Sequence, residues 1–139
     1  MAGFPIPSDF PLNSFIGQEV TQVCIGSHHV RINFYKRMMG AELFDKWEKG
    51  AAIDIESGYE LWDSDRCTQK TSNEDLGEKS GCLTVLLGQV ITAFEKLPDN
   101  EIVFRFSNGN ELKLLTDKQG FESYQLNLDE NSVGVSKNW

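Results

Sequence analysis

Apolar and polar residues alternate along most of this chain, and the alternation predicts strands. From Glu19 to Ile25, Val20 and Cys24 fall on one face and Val23 and Ile25 on the other. Gly26-Ser27-His28-His29 reads as a turn. Val30, Ile32 and Phe34 then face one way and Arg31 and Asn33 the other, which makes a hairpin with one buried face. Ile53, Ile55, Tyr59 and Leu61 share one parity, and Asp54, Glu56 and Glu60 the other. That pattern fits a strand with a solvated acidic face, or a tight hairpin pivoting at Ser57-Gly58.

Four further strands are predicted in Val90 to Leu97, Glu101 to Ser107, Glu111 to Leu115 and Glu122 to Leu128. In the last two, Leu112, Leu114, Tyr124, Leu126 and Leu128 point inward. Turns fall at Pro98-Asp99-Asn100 and Asp129-Glu130-Asn131, and a short strand closes the chain around Val133 and Val135. Asn108-Gly109 suits a type I′ hairpin turn, because both residues tolerate positive φ.

Two stretches show helical spacing. Met39, Leu43 and Trp47 recur every fourth residue, with Lys46 and Lys49 in the last turn and Gly50 just past it. Leu83, Leu86, Leu87 and Val90 fit a short helix between Ser80 as N-cap and Gly88 as terminator, with a continuous buried strand as the alternative. Asp63 to Lys79 is polar and reads as a long loop. Met1 to Asn13, with Pro5, Pro7 and Pro11, reads as an extended arm. No internal repeat stands out. The expectation is one α+β domain over residues 1–139. Its core is an antiparallel meander sheet of six to eight short strands, curved or half-barrel, with one or two short helices.

Composition narrows the function. The chain has 139 residues, 40% of them apolar, which is enough for one globular core. Three cysteines with no paired spacing argue for reduced thiols and against a disulfide framework or zinc site. With no apolar leader at Met1 to Asn13 and no apolar run of membrane-spanning length, the expected compartment is the cytoplasm. The formal net charge of −8 disfavours nucleic acid and anionic membranes and suits a basic protein partner or simple solubility. The acids concentrate in one block: Asp54, Glu56, Glu60, Asp63, Asp65, Glu74, Asp75 and Glu78, against only Arg66 and Lys70.

Candidate chemistry is sparse. His28 and His29 are adjacent, so on a strand they would point to opposite faces and could not chelate one metal together. Cys24 and Cys82 have apolar neighbours and read as core residues. Cys67, beside Arg66 in the polar stretch, is the one candidate reactive thiol. Asp63-Ser64-Asp65 opens like a calcium loop, but the later ligands do not follow in register. No nucleophile elbow, phosphate loop or dinucleotide fingerprint is present. No cofactor, metal or catalytic residue is therefore expected. Trp62, beside Glu60 and Asp63, is an interface anchor by type, with a place tucked under the long loop as the equal alternative.

Three segments together carry a resemblance. They are Ile16-Gly17-Gln18-Glu19-Val20-Thr21-Gln22-Val23, Leu86-Leu87-Gly88-Gln89-Val90-Ile91, and Phe106-Ser107-Asn108-Gly109-Asn110-Glu111-Leu112 running on to Phe121-Glu122-Ser123-Tyr124-Gln125-Leu126. In order and spacing they resemble small bacterial domains of unknown function, some similar to immunity proteins of polymorphic toxin and contact-dependent inhibition systems. The resemblance covers about half of the chain, and Lys36 to Gly50 and Asp63 to Lys79 depart from it. It implies a non-enzymatic protein that neutralises a basic, nuclease-like toxin by occluding its active site. The residues expected to touch that partner are Asp54, Glu56, Glu60, Trp62, Asp63 and Asp65, then Glu74, Asp75 and Glu78. The competing expectations are a self-associating assembly subunit, and a small ligand-binding or enzymatic barrel that holds His28 or His29 with a carboxylate. Monomer and dimer both stay open.

Overall fold

The computed structural model describes residues 5–38, 46–116, 123–128 and 131–135. Among these, ten strands form two antiparallel five-stranded sheets, and the class is α+β as expected. The strands are β1 (Glu19–Ile25), β2 (Val30–Met38), β3 (Lys46–Ile55), β4 (Tyr59–Asp63), β5 (Arg66–Lys70), β6 (Ile91–Lys96), β7 (Ile102–Phe106), β8 (Asn110–Leu114), β9 (Tyr124–Leu128) and β10 (Asn131–Val135). The first sheet has the order β1-β2-β3-β9-β10 and the second β5-β4-β8-β7-β6. One helical run joins β5 to β6, made of the 3-10 turn Asn73–Asp75, the α-turn Leu76–Lys79 and the 3-10 stretch Ser80–Leu86.

Alternation explains the core. Val30, Ile32, Phe34, Ile53, Ile55, Tyr124 and Leu126 on the first sheet are buried, as are Tyr59, Leu61, Ile102, Phe104, Phe106, Leu112 and Leu114 on the second. They form one cluster with Leu76, Leu83 and Leu86 of the helical run. Tyr59 and Tyr124 each bury a phenol. The Tyr59 hydroxyl donates to Ser80 Oγ at 3.0 Å and the Tyr124 hydroxyl to the Asn100 carbonyl at 2.6 Å. Burial raises both phenol pKa values, so both stay neutral donors.

The two sheets are built from a duplicated unit, contrary to the expectation of no internal repeat. A 3-10 turn (Leu12–Phe15, then Ser80–Leu86) leads to a glycine with positive φ: Gly17 at 90°, Gly88 at 80°. Each glycine opens three consecutive antiparallel strands, β1-β2-β3 or β6-β7-β8, and the hairpin that follows crosses to the other sheet. The halves meet through reciprocal backbone bonds. Gly17 N donates to Ile91 O at 2.8 Å, and Gly88 N to Val20 O at 2.9 Å. Val20 N donates to Gln89 O at 2.9 Å, and Ile91 N to Gln18 O at 3.0 Å. Glu19 and Val90 form the bridge between them, so a local twofold passes through that bridge. The same bulge recurs, between Val20 and Gln22 and between Ile91 and Ala93. The same threonine bond recurs too, Thr21 Oγ1 to Asn33 O and Thr92 Oγ1 to Arg105 O, each 3.3 Å.

Several local expectations are corrected. The bulge in β1 resets the parity, so Val20 is buried, Val23 packs on the core, and Cys24, expected inside, is exposed. Lys46, Trp47 and Lys49 stand on β3 and not on a helix, and Gly50 continues that strand. Met39 and Leu43 lie outside the described residues. A Cβ at Gly50 would sit 3.0 Å from the Phe34 carbonyl and against the Gln18 side chain, so close packing and not helix termination demands glycine there. Ser57-Gly58 is the passage from one sheet to the other. The stretch Asp63 to Lys79 is no loop: it holds β5 and the start of the helical run. As an exposed edge strand, β5 needs almost no apolar residues, which hid it. Ser80 lies inside the helical run, buried, while Gly88 does close it. Asn108-Gly109 keeps the hairpin but not the turn type. Only Gly109 has positive φ, and its N–H bonds Phe106 O at 3.0 Å, a type I turn with a bulged glycine.

Candidate functional site

The acidic block does not form one surface. Glu60 and Trp62 stand on the outer face of β4, where the indole N–H donates to Glu60 at 3.0 Å and Lys70 pairs with Glu60 at 3.5 Å. Asp63 and Asp65 flank the β4–β5 turn, which Ser64 makes with φ of 58°. Asp75 caps the helical run: Ser72 N donates to its carboxylate at 2.7 Å, and Lys79 pairs with it at 3.1 Å. The Ser72 N–H, then the Lys79 ammonium, hold the Asp75 carboxyl below its ordinary range. A depressed carboxyl contributes stability above the unfolded pKa and loses it as pH falls through the folded one. An NMR acid titration is therefore expected to place the Asp75 midpoint below the ~3.9 of an unfolded aspartate. A midpoint at or above that value would rule the cap out.

Glu74 and Glu78 line a groove of about 520 Å³ with Ile25 and His28. His28 Nδ1 lies 3.1 Å from Asn73 O, and the Asn73 amide also reaches the Glu56 carbonyl, so Glu56 belongs to the same end of the molecule. Gly77 lets the helical run come this close. A Cβ there would fall 2.7 to 3.0 Å from backbone atoms of Gly26 and Ser27. Glu56, Asp63, Asp65, Glu74 and Glu78 make no ion pair among the described residues. Asp54, Glu60 and Asp75 are neutralised by neighbours.

Asp54 is the largest departure from expectation. It faces outward from β3 as the parity requires, yet it is only 6% exposed, and side chains from two neighbouring strands and a turn bond to it. His29 Nε2 lies 3.0 Å from Oδ1, Arg31 Nη1 lies 3.3 and 3.1 Å from the two oxygens, and Asn127 Nδ2 lies 2.9 Å from Oδ2. Arg31 Nε also donates to Asn33 Oδ1 at 3.0 Å, and Asn33 Nδ2 to Gln22 Oε1 at 3.0 Å. One hydrogen-bonded network thus runs over the outer face from β1 to β9.

A histidine on a carboxylate invites a catalytic reading. The duplicated half supplies the comparison. Strand pairing places Asp54 opposite Arg31 in the first sheet and Lys113 opposite Val103 in the second. Lys113 pairs with Glu101 at 3.8 Å at the positions that Asp54 and His29 hold, with the carboxylate on the other side of the pair. Both halves thus tie the hairpin at this place with a polar contact.

Sequence reasoning missed Arg31, Asn33, Gln22 and Ile25. The available signal was the run of amide and guanidinium side chains at outward positions of neighbouring strands. Cys67 is exposed on β5, with its thiol 3.6 Å from Gln69 O, and Cys82 is half-buried beside Tyr59. Among the described residues no three His, Cys, Asp or Glu side chains group to hold a metal, and no helix is long and apolar enough to cross a membrane. Compared with known proteins, the chain matches no family model, no curated protein and no solved structure.

Proposed function

We propose that the protein is a non-enzymatic immunity protein of the bacterial cytoplasm that neutralises a basic toxin domain by covering its active site. The observation that carries this reading is the end of the molecule where Ile25, 42% exposed, shares a groove with Glu74 and Glu78. An apolar anchor ringed by unpaired carboxylates is what a basic protein surface would recognise, and complementary charge would speed encounter. Glu56 lies at the same end. Asp63 and Asp65 form a second, separate acidic point. Asp54, Glu60 and Asp75, spent on internal contacts, drop out of the contact set, and Trp62 is turned onto Glu60.

The test is retention of a stoichiometric basic partner from the native host by wild-type protein and by the Glu74→Lys/Glu78→Lys variant. Both positions are exposed, so folding should be unaffected. The wild type is expected to hold its partner at low salt and lose it at high salt, and the variant to bind at least about tenfold more weakly. Equal retention by a folded variant would remove this surface from the proposal.

A further inference from the structure

The outer face of the first sheet carries a groove of about 670 Å³ over β1, β2 and β3, within the size range of small-molecule sites. Arg31, Gln22, Asn33 and Tyr35 line it together with Thr21, and among the described residues no acidic side chain does.

Its hydrogen-bonding groups can be accounted for one by one. Asn33 Oδ1 is taken by Arg31 Nε, and Gln22 Oε1 by Asn33 Nδ2. The Thr21 hydroxyl donates to Asn33 O, and Arg31 Nη1 is held on Asp54. Both amide oxygens are therefore occupied. Among the described residues, Arg31 Nη2, Gln22 Nε2 and the Tyr35 hydroxyl have no partner. What remains is a set of donors that includes one terminal nitrogen of a guanidinium, Arg31 Nη2, on a side chain fixed in place by Asp54 and Asn33. That N–H group and the Gln22 amide N–H suit the two oxygens of a carboxylate.

The duplicated half shows that the fold does not need these groups. Pairing places Gln22 opposite Asn33 where the second sheet has Ala93 opposite Arg105, and puts Val103 where the first sheet has Arg31. Tyr35, next on that face of β2, corresponds to Ser107. The threonine bond that serves the backbone is kept in both halves, whereas the donor set occurs in one.

We infer that this groove binds a small organic carboxylate, with the carboxylate on Arg31 and Gln22 and the carbon body against the Tyr35 ring. The site lies apart from the Ile25 groove and does not depend on the immunity reading.

Benzoate is the probe and benzamide, its uncharged isostere, the control. Each is titrated into the isotope-labelled full-length protein and followed by NMR. Saturable shifts at the Gln22 side-chain amide, Arg31 Nε–H and the Tyr35 amide are expected with benzoate and not with benzamide. Gln22→Glu, at an exposed position, is expected to weaken benzoate at least tenfold while the rest of the spectrum is unchanged. Equal response to benzamide, no saturation, shifts centred on Val103 and Lys113, or unaltered affinity in Gln22→Glu would each overturn the site. An N-acetyl-glutamate peptide amide that bound the same residues more tightly than benzoate would overturn the small-molecule source in favour of an acidic peptide.

Discussion

Phe104→Ala is expected to lower unfolding free energy by about 3–5 kcal/mol, a large share of the ~5–15 kcal/mol typical of a domain. The Phe104 ring is fully buried, and its centroid lies 5.3 Å from that of Phe15. Phe15 in turn meets Phe34 edge-on at 6.2 Å. Phe15 comes from the first half of the duplication and Phe104 from the second, so the cavity would open at their seam. Neither neighbour can fill it cheaply, because Phe15 is held by the 3-10 turn that leads to Gly17. Phe94→Ala, on the partly buried residue paired with Phe104, should cost clearly less. Urea unfolding of the two variants separates these outcomes. Similar midpoints would mean that the packing centre lies elsewhere.

Asp54→Lys is expected to be comparably damaging, about 3–5 kcal/mol, because it places a lysine at a 6% exposed position against Arg31 and His29. Adding His29→Glu and Arg31→Val copies the arrangement of Lys113, Glu101 and Val103 into the first half. The triple variant is then expected to recover to within about 1 kcal/mol of the parent, by the coupling that neighbouring charges show. Thermal or urea unfolding at neutral pH reads the recovery directly. A triple variant as unstable as Asp54→Lys alone would show that the pair does more than clamp its hairpin.

Much of the second half was legible in the sequence. Its strands β7, β8 and β9 alternate cleanly, with Phe104, Phe106, Leu112, Leu114, Leu126 and Leu128 all inside as their parity requires. The helical spacing of Met39, Leu43 and Trp47 misled at Trp47, where one match at that period cannot outweigh the pairing of β3 with β2. Acidity on alternate positions suggested that Asp54 is solvated. A residue in the middle of a five-stranded sheet can face outward and still be covered by its neighbours' side chains.

The duplication escaped for a related reason. What the halves share are Gly17-Gln18 and Gly88-Gln89, the threonines, and inward positions whose identity drifts freely among apolar residues. The outward positions, where identity is conspicuous, are where the halves differ most. The acidic block was legible as composition but not as a surface, because consecutive residues there pass from one sheet to the other at Ser57-Gly58.

The crossing hairpins also constrain how the chain can reach this state. β4 finds its inner neighbour only in β8, and β3 finds its own only in β9, near the end of the chain. Among the described residues, six strand pairings join consecutive strands, but the two that seat the crossing hairpins, β3 with β9 and β4 with β8, join residues far apart in sequence, which raises contact order and should slow folding. A nascent chain that has emerged only as far as β5 holds an unfinished first sheet and a hairpin with nothing to pair against. Neither half can serve as an early-folding unit. The protein should fold in a single cooperative step once β9 is available, and a first half alone should stay unfolded and protease-sensitive.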